Sequence, residues 1–433
     1  MEKHLTRNNR SKLARLIEAI HANAQVRPKD DVATFSRYGR GFSLDVTGYR
    51  TLQEATATLQ TVPPWNEAYT ADVLQTRIID AIFAGGETVD DLVTFINDAL
   101  NADCKHLRAY VAFSGFHLEP DVEINIGKYT LRVLGESGFE EEIIGRLNLH
   151  MAGPNWTEEE RENERQRMRG YLKKHPNLPI LVVEFHGSIE AAQKQVDPIA
   201  EGVGLFMQFC IGALTDRYYD NPIIVDHRGR FTGDFAAYMP VMTLEFDQLS
   251  FPNLRGFPYD CVISKSDVER LESTGIVALA EQFISPPSTT PNAVQKLLHR
   301  AMCAFADAER AVSPLSRIAA YVTACEVFFS QKIRTEAWVT TGMALSNAGN
   351  DGRDFEQQLA LAQAIYEDRS KAVHAGFEPE HVYLARKMAL GSIEAMIRKQ
   401  HELPTRRKIK EWLEPYVPPE PPKSSPEQTS PAS

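Results

Sequence analysis

The sequence predicts a multidomain α+β protein, with a mixed α/β N-terminal region over 1–284 and an all-α helical bundle over 292–414. Three observations predict it. The chain has 433 residues, room for two or three domains of roughly 100–200 residues each. Ser285-Pro-Pro-Ser-Thr-Thr-Pro291 gathers prolines and hydroxyl residues into a linker, 285–291, that interrupts helix and strand patterns alike. Before it, alternating and helical patterns mix, whereas after it apolar residues recur almost everywhere at helical spacing.

Taken in order, Val122–Ile126 and Tyr129–Val133 alternate apolar and polar on either side of Gly127-Lys128, the pattern of a half-buried hairpin. Thr157-Glu-Glu-Glu160 is a capping box opening a charged helix, Glu158–Tyr171, whose alternating signs mark a solvated face. Ile180–Phe185, Ile223–Val225 and Val241–Phe246 read as strands of an antiparallel or mixed sheet. Ile189–Leu214 and Asp267–Ile284 read as helices, and Asp226-His-Arg-Gly-Arg230 as a polar turn. The region could hold two subdomains. It has no phosphate-binding glycine loop, nucleophile elbow or HExxH, so it carries no catalytic signature; a sensor or regulatory role for an unknown trigger is the expectation.

The C-terminal helices are predicted over Ala293–Val312, Leu315–Ile333, Glu336–Ala348, Asp354–His374, Pro379–His401 and Arg406–Glu414. Ser313-Pro314 supplies a cap and a first-turn proline, Asn347–Gly352 breaks the chain, and Gly376 and Pro379 part the last two long helices. Residues 415–433 hold too few apolar side chains to fold and read as a disordered Pro-rich tail.

Composition narrows the function. Apolar residues at 43% and charged residues at 24% exclude a wholly disordered or membrane-embedded chain. A net charge of −11 excludes nucleic-acid binding by bulk charge. The charge is uneven: 1–290 carries 29 basic and 41 acidic residues, 291–414 carries 17 and 15. The bundle is therefore the part expected to meet a polyanion, with Lys371, Arg406, Arg407, Lys408 and Lys410 as candidate RNA contacts. Five dispersed cysteines without a CxxC pair fit a reduced, cytoplasmic chain with no metal site. Met1–Arg15 lacks the apolar core of a signal peptide, and the longest apolar stretch, Ile199–Leu214, is too short to span a bilayer, so no membrane partner is expected.

The chemistry concentrates in Ile365-Tyr-Glu-Asp-Arg-Ser-Lys-Ala-Val-His-Ala-Gly376. Leu359, Ala362, Tyr366, Arg369 and Val373 recur at steps of three and four, so Arg369 should face inward on an apolar stripe. An inward guanidinium must pair with a carboxylate such as Glu326 or line a solvated cleft. His374 falls at the helix end, where the dipole favours imidazolium. An Arg-x4-His spacing alone occurs by chance; Arg169 and His175 form a similar pair without a bundle around it.

With its surroundings, the string resembles the Apea-like branch of the HEPN (higher eukaryotes and prokaryotes nucleotide-binding) superfamily over about 292–401. Arg317-Ile-Ala-Ala-Tyr-Val-Thr-Ala-Cys-Glu326 resembles its second helix, and Tyr366-x-x-Arg369-Ser370-x-x-Val373-His374-Ala-Gly376 its closing motif. Ala375 stands where glycine often follows the histidine, and Ser370 where many members carry an amide. The resemblance implies an HEPN-like bundle that dimerises and cleaves RNA, tRNA among the possible targets, as a toxin or anti-phage effector. Arg369 and His374 would be catalytic, with Glu326, Tyr366, Asp368 and Ser370 supporting them. Attack by the RNA's own 2′-hydroxyl needs neither metal nor cofactor, only proton transfer and charge stabilisation, and leaves 2′,3′-cyclic phosphate and 5′-hydroxyl ends. Two other readings stay open: a non-catalytic HEPN module that binds a nucleotide or only dimerises, and an activity seated in the N-terminal region.

Overall fold

The computed structural model describes residues 7–24, 33–37, 40–61, 69–84, 105–133, 156–174, 179–187, 189–215, 224–225, 261–284 and 291–419, with isolated positions between 90 and 152. They are mostly helical, with small sheets, and fall into two compact units. One comprises Met1–Phe113, Tyr129–Glu201 and His227–Arg255; the other comprises Ser114–Lys128, Gly202–Asp226 and Gly256–Ser433. The division differs from the predicted cut at 285–291, because three earlier segments belong with the C-terminal helices. Of that linker only Pro291 is described.

In the first unit, helices α1 (Arg7–Ala24), α2 (Val46–Leu59) and α3 (Ala71–Ala84) and the hairpin of β1 (Ala33–Arg37) and β2 (Arg40–Leu44) enclose a core that includes Ile17, Ile20, Leu44, Leu52, Leu59, Leu74 and Ile78. Asp45 starts α2 by accepting the Gly48 N–H at 2.7 Å. The remaining strands are β3 (Lys105–Ala112), β4 (Phe116–Leu118), β5 (Ile124–Ile126), β6 (Tyr129–Val133), β7 (Pro179–Gly187) and β8 (Cys261–Ile263). Within the first unit β7 lies between β3 and β6, antiparallel to both. The predicted strands are present as β5 and β6, and Gly127 between them takes a φ of 59° that suits glycine. Helix α4 (Glu158–Lys174) opens with the predicted capping box: Thr157 N–H reaches the Glu160 carboxylate at 2.8 Å and Glu160 N–H returns to Thr157 Oγ1 at 3.2 Å.

The second unit takes the C-terminal half of α5 (Ile189–Leu214), then α6 (Lys265–Ser273) and a 3₁₀ turn, Val277–Phe283. The single helix predicted over Asp267–Ile284 is thus split, because Gly275 turns left-handed at φ 79° and ends α6. There follow α7 (Ala293–Arg310), α8 (Pro314–Phe329), α9 (Thr335–Asn347), α10 (Phe355–Ala375), α11 (Val382–Lys399) and α12 (Arg406–Leu413). Capping boxes at Asn292 and Asp354 start α7 and α10; Pro314 opens α8, although Ser313 makes no side-chain cap bond. Helix α7 packs along α8, α9 along α10, and α11 against α7, α8 and α9. Phe209, Phe305 and Tyr321 link α5, α7 and α8 through ring contacts of 5.4 and 5.3 Å.

Arginines explain why earlier segments join this unit. Arg386 of α11, 3% exposed, binds Glu309 Oε1 at 2.7 Å and donates to the Gly212 and Thr215 carbonyls at the end of α5. Arg270 donates to Ala213 O at 2.8 Å, and Arg310 to Val225 O at 3.1 Å. The last carbonyls of a helix have no partner within it and carry its negative dipole end, so cationic donors suit them. Val225 is held in this way, its N–H reaching Gln208 Oε1; Ile224 and Val225 are not in a strand, contrary to the reading of Ile223–Val225, of which Ile223 lies outside the described residues. Val241–Phe246 and Asp226–Arg230 lie outside the described residues. The start of the predicted tail is structured: Tyr416 packs on Phe355 at 5.6 Å and Arg334 donates to Pro418 O at 2.7 Å. Among the described residues no helix is long and apolar enough to cross a membrane, and Cys210, Cys261, Cys303 and Cys325 are free.

Candidate functional site

Helix α10 buries Gln358, Ala362, Ile365 and Ala372, a stripe at steps of four, three and seven. Arg369 falls between Ile365 and Ala372 on that stripe and is half-buried, as its spacing predicts. Val373 is not on it: one residue past Ala372 turns about 100° away, and Val373 is 44% exposed.

Arg369 meets α8 at Glu326, Nη2 to Oε2 3.9 Å, with the two side chains 23% and 22% exposed. The Tyr366 hydroxyl donates to Glu326 Oε1 at 3.2 Å, and the Arg369 guanidinium lies 5.8 Å from the Tyr366 ring centre. Burial, then the charge of Glu326, raises the Tyr366 pKa, so the phenol stays a donor at neutral pH. Glu336 of α9 adds to that shift, which places a second carboxylate near the cluster. The guanidinium is loosely held. A charge-assisted N–H···O bond spans about 2.7–2.9 Å, well short of the Arg369–Glu326 separation. Arg369 Nε is buried with no hydrogen-bond partner. The guanidinium is thus neither fully paired nor fully buried, with its side chain 23% exposed.

His374 lies in the last turn of α10, exposed, two residues before the left-handed cap Gly376. Its imidazole has no partner among the described residues. Five positions along an unbroken helix separate it from Arg369 by roughly 140° around the axis and about 7.5 Å along it. The two groups share a helix end without sharing a face.

The remaining predicted residues take several roles. Asp368 contacts neither Arg369 nor His374; its Oδ2 accepts Glu380 N–H and His381 N–H, both at 2.8 Å, and lies 3.1 Å from His381 Nδ1. It thereby caps α11, whose N-cap residue His381 makes no side-chain cap bond. The half-buried Ser370 hydroxyl has no partner among the described residues. Lys371 pairs with Glu367 at 2.8 Å. Arg407 and Lys408 share Glu411 at 2.9 and 2.8 Å, and Lys410 lies over the Trp338 ring at 5.8 Å. Arg406 donates to Val327 O at 3.2 Å, which joins the start of the basic helix α12 to the residue beside Glu326. All five cations remain exposed. Sequence reasoning missed His381 and Glu336, since the only signal for either is its proximity in space. Comparison with family models, curated proteins and solved structures finds no match for the chain.

Proposed function

We propose that the helical unit is a metal-independent endoribonuclease of the HEPN type. The observation that supports it best is a half-buried arginine with unfilled hydrogen-bonding capacity on the helix that ends in an unpartnered, exposed histidine. In this reading the 2′-hydroxyl oxygen attacks phosphorus and the P–O5′ bond breaks. One imidazole takes the 2′ proton and a second delivers a proton to the departing 5′ oxygen. Arg369 binds the phosphate oxygens as charge grows in the phosphorane. An acid and a base from one motif require two copies of His374, so the active species is a homodimer through the bundle. Exposed Arg406, Arg407, Lys408, Lys410 and Lys371 would hold the flanking phosphates. A cytoplasmic setting and a toxin or anti-phage role accompany the proposal and rest on the free thiols and the family resemblance.

A non-catalytic reading draws on one observation: the Tyr366–Glu326 hydrogen bond beside Arg369 is also how a purely structural cluster is built. Incubating RNA with the wild type, Arg369→Ala and His374→Ala in EDTA separates the two. The nuclease reading expects cleavage by the wild type, cyclic phosphate ends, and losses of at least about a hundredfold in both variants. RNA left intact by all three, or cleaved equally by all three, sinks it.

A further inference from the structure

We propose that Asp368 and His381 form a clamp that fixes the direction of His374, making Asp368 a positioning residue of the reaction; this rests on the nuclease reading. Residues 373–378, which include His374, Gly376 and Phe377, are exposed without interruption. The last turn of α10 (373–375) and the loop 376–378 form an arch whose footings are the buried Ala372 on one side and the buried Pro379 on the other. The helix ladder runs through Ala375 and ends with the Gly376 N–H bond to Ala372 O. Helix ends of this kind fray, and a frayed end lets an imidazole sample many directions.

Asp368 resists that fraying. It lies on α10 six residues before His374, and its single Oδ2 gathers the first backbone donors beyond the arch together with the His381 ring. The carboxylate is 13% exposed, so little water competes for these bonds. The clamp closes the arch to a fixed length, and the stem of His374 inherits that geometry. Displacing a reacting group by about 1 Å can cost a hundredfold in rate, so the clamp's effect belongs in kcat and leaves KM nearly unchanged.

The experiment compares the full-length wild type with Asp368→Ala, Asp368→Asn and His381→Ala by steady-state RNA cleavage and by amide hydrogen exchange. Asp368→Ala is expected to speed exchange over 373–381 and to lower kcat at least tenfold with KM within about twofold. Asp368→Asn keeps an acceptor oxygen and is expected to restore most of kcat, which a lost fold would not allow. His381→Ala retains the backbone bonds and should fall between them. Unchanged exchange in Asp368→Ala removes the clamp. Faster exchange with unchanged kcat removes the positioning role. Faster exchange with no cleavage even by the wild type instead overturns the nuclease reading, and the positioning role with it.

Discussion

Two arginines on neighbouring helices show what burial does to a guanidinium. Arg386 is fully engaged by Glu309 and backbone carbonyls, while Arg369 keeps one loose carboxylate. Helical spacing made Arg369 and Tyr366 legible in the sequence, and the need of an inward guanidinium for a carboxylate, with the family resemblance, pointed to Glu326. Spacing did not reveal Arg386, whose partners lie 77 and 174 residues away, nor the actual role of Asp368, which depends on a loop folding back. Two outcomes follow for single residues. Arg369→Lys removes the planar fork that grips two phosphate oxygens and is expected to retain under about a tenth of wild-type cleavage, measured as single-turnover rate. Tyr366→Phe deletes the hydroxyl bond to Glu326 and is expected to cost about 1 kcal/mol in urea unfolding.

At the level of elements, the helices of the C-terminal part were legible because caps and apolar spacing agree there, as at Asn292, Asp354 and Gly376. The strands of the first unit were less so: β1, β2 and β3 carry only short alternations, such as Ala33-Thr-Phe-Ser and Leu107-Arg-Ala, with no glycine turn signal like Gly127-Lys128 to mark a hairpin in β3. Close helix crossings are set by glycines that spacing cannot explain. A Cβ on Gly342 would lie 2.3 Å from the Phe329 ring, and one on Gly391 would lie 2.0 Å from Asn347 Oδ1. Asn347 itself ties α9 to α11 by donating to Met388 O at 3.1 Å. Gly342→Ala is expected to destabilise by about 1–3 kcal/mol through overpacking between α8 and α9, read from the denaturation midpoint at constant m-value.

For the whole molecule, ionisation of thiols sets an alkaline limit. Burial, with smaller charge effects, raises Cys261 to about 11 and Cys303 and Cys325 to about 12 from an ordinary 9.0. A raised thiol pKa means that the unfolded state loses its proton first. The stabilisation is complete below about pH 9 and is lost as pH climbs through the folded values. The urea midpoint is therefore expected to fall between about pH 8.5 and 10.5, and Cys303→Ser to flatten the decline; a level profile in the wild type contradicts this. The grip of Arg270, Arg310 and Arg386 on the carbonyls of Gly212, Ala213, Thr215 and Val225 has a temporal side as well. A ribosome delivers the end of α5 long before it delivers Arg386, 174 positions later. Arg270 and Arg310 emerge earlier, but the Gly212 and Thr215 carbonyls wait for Arg386 before they gain its donors.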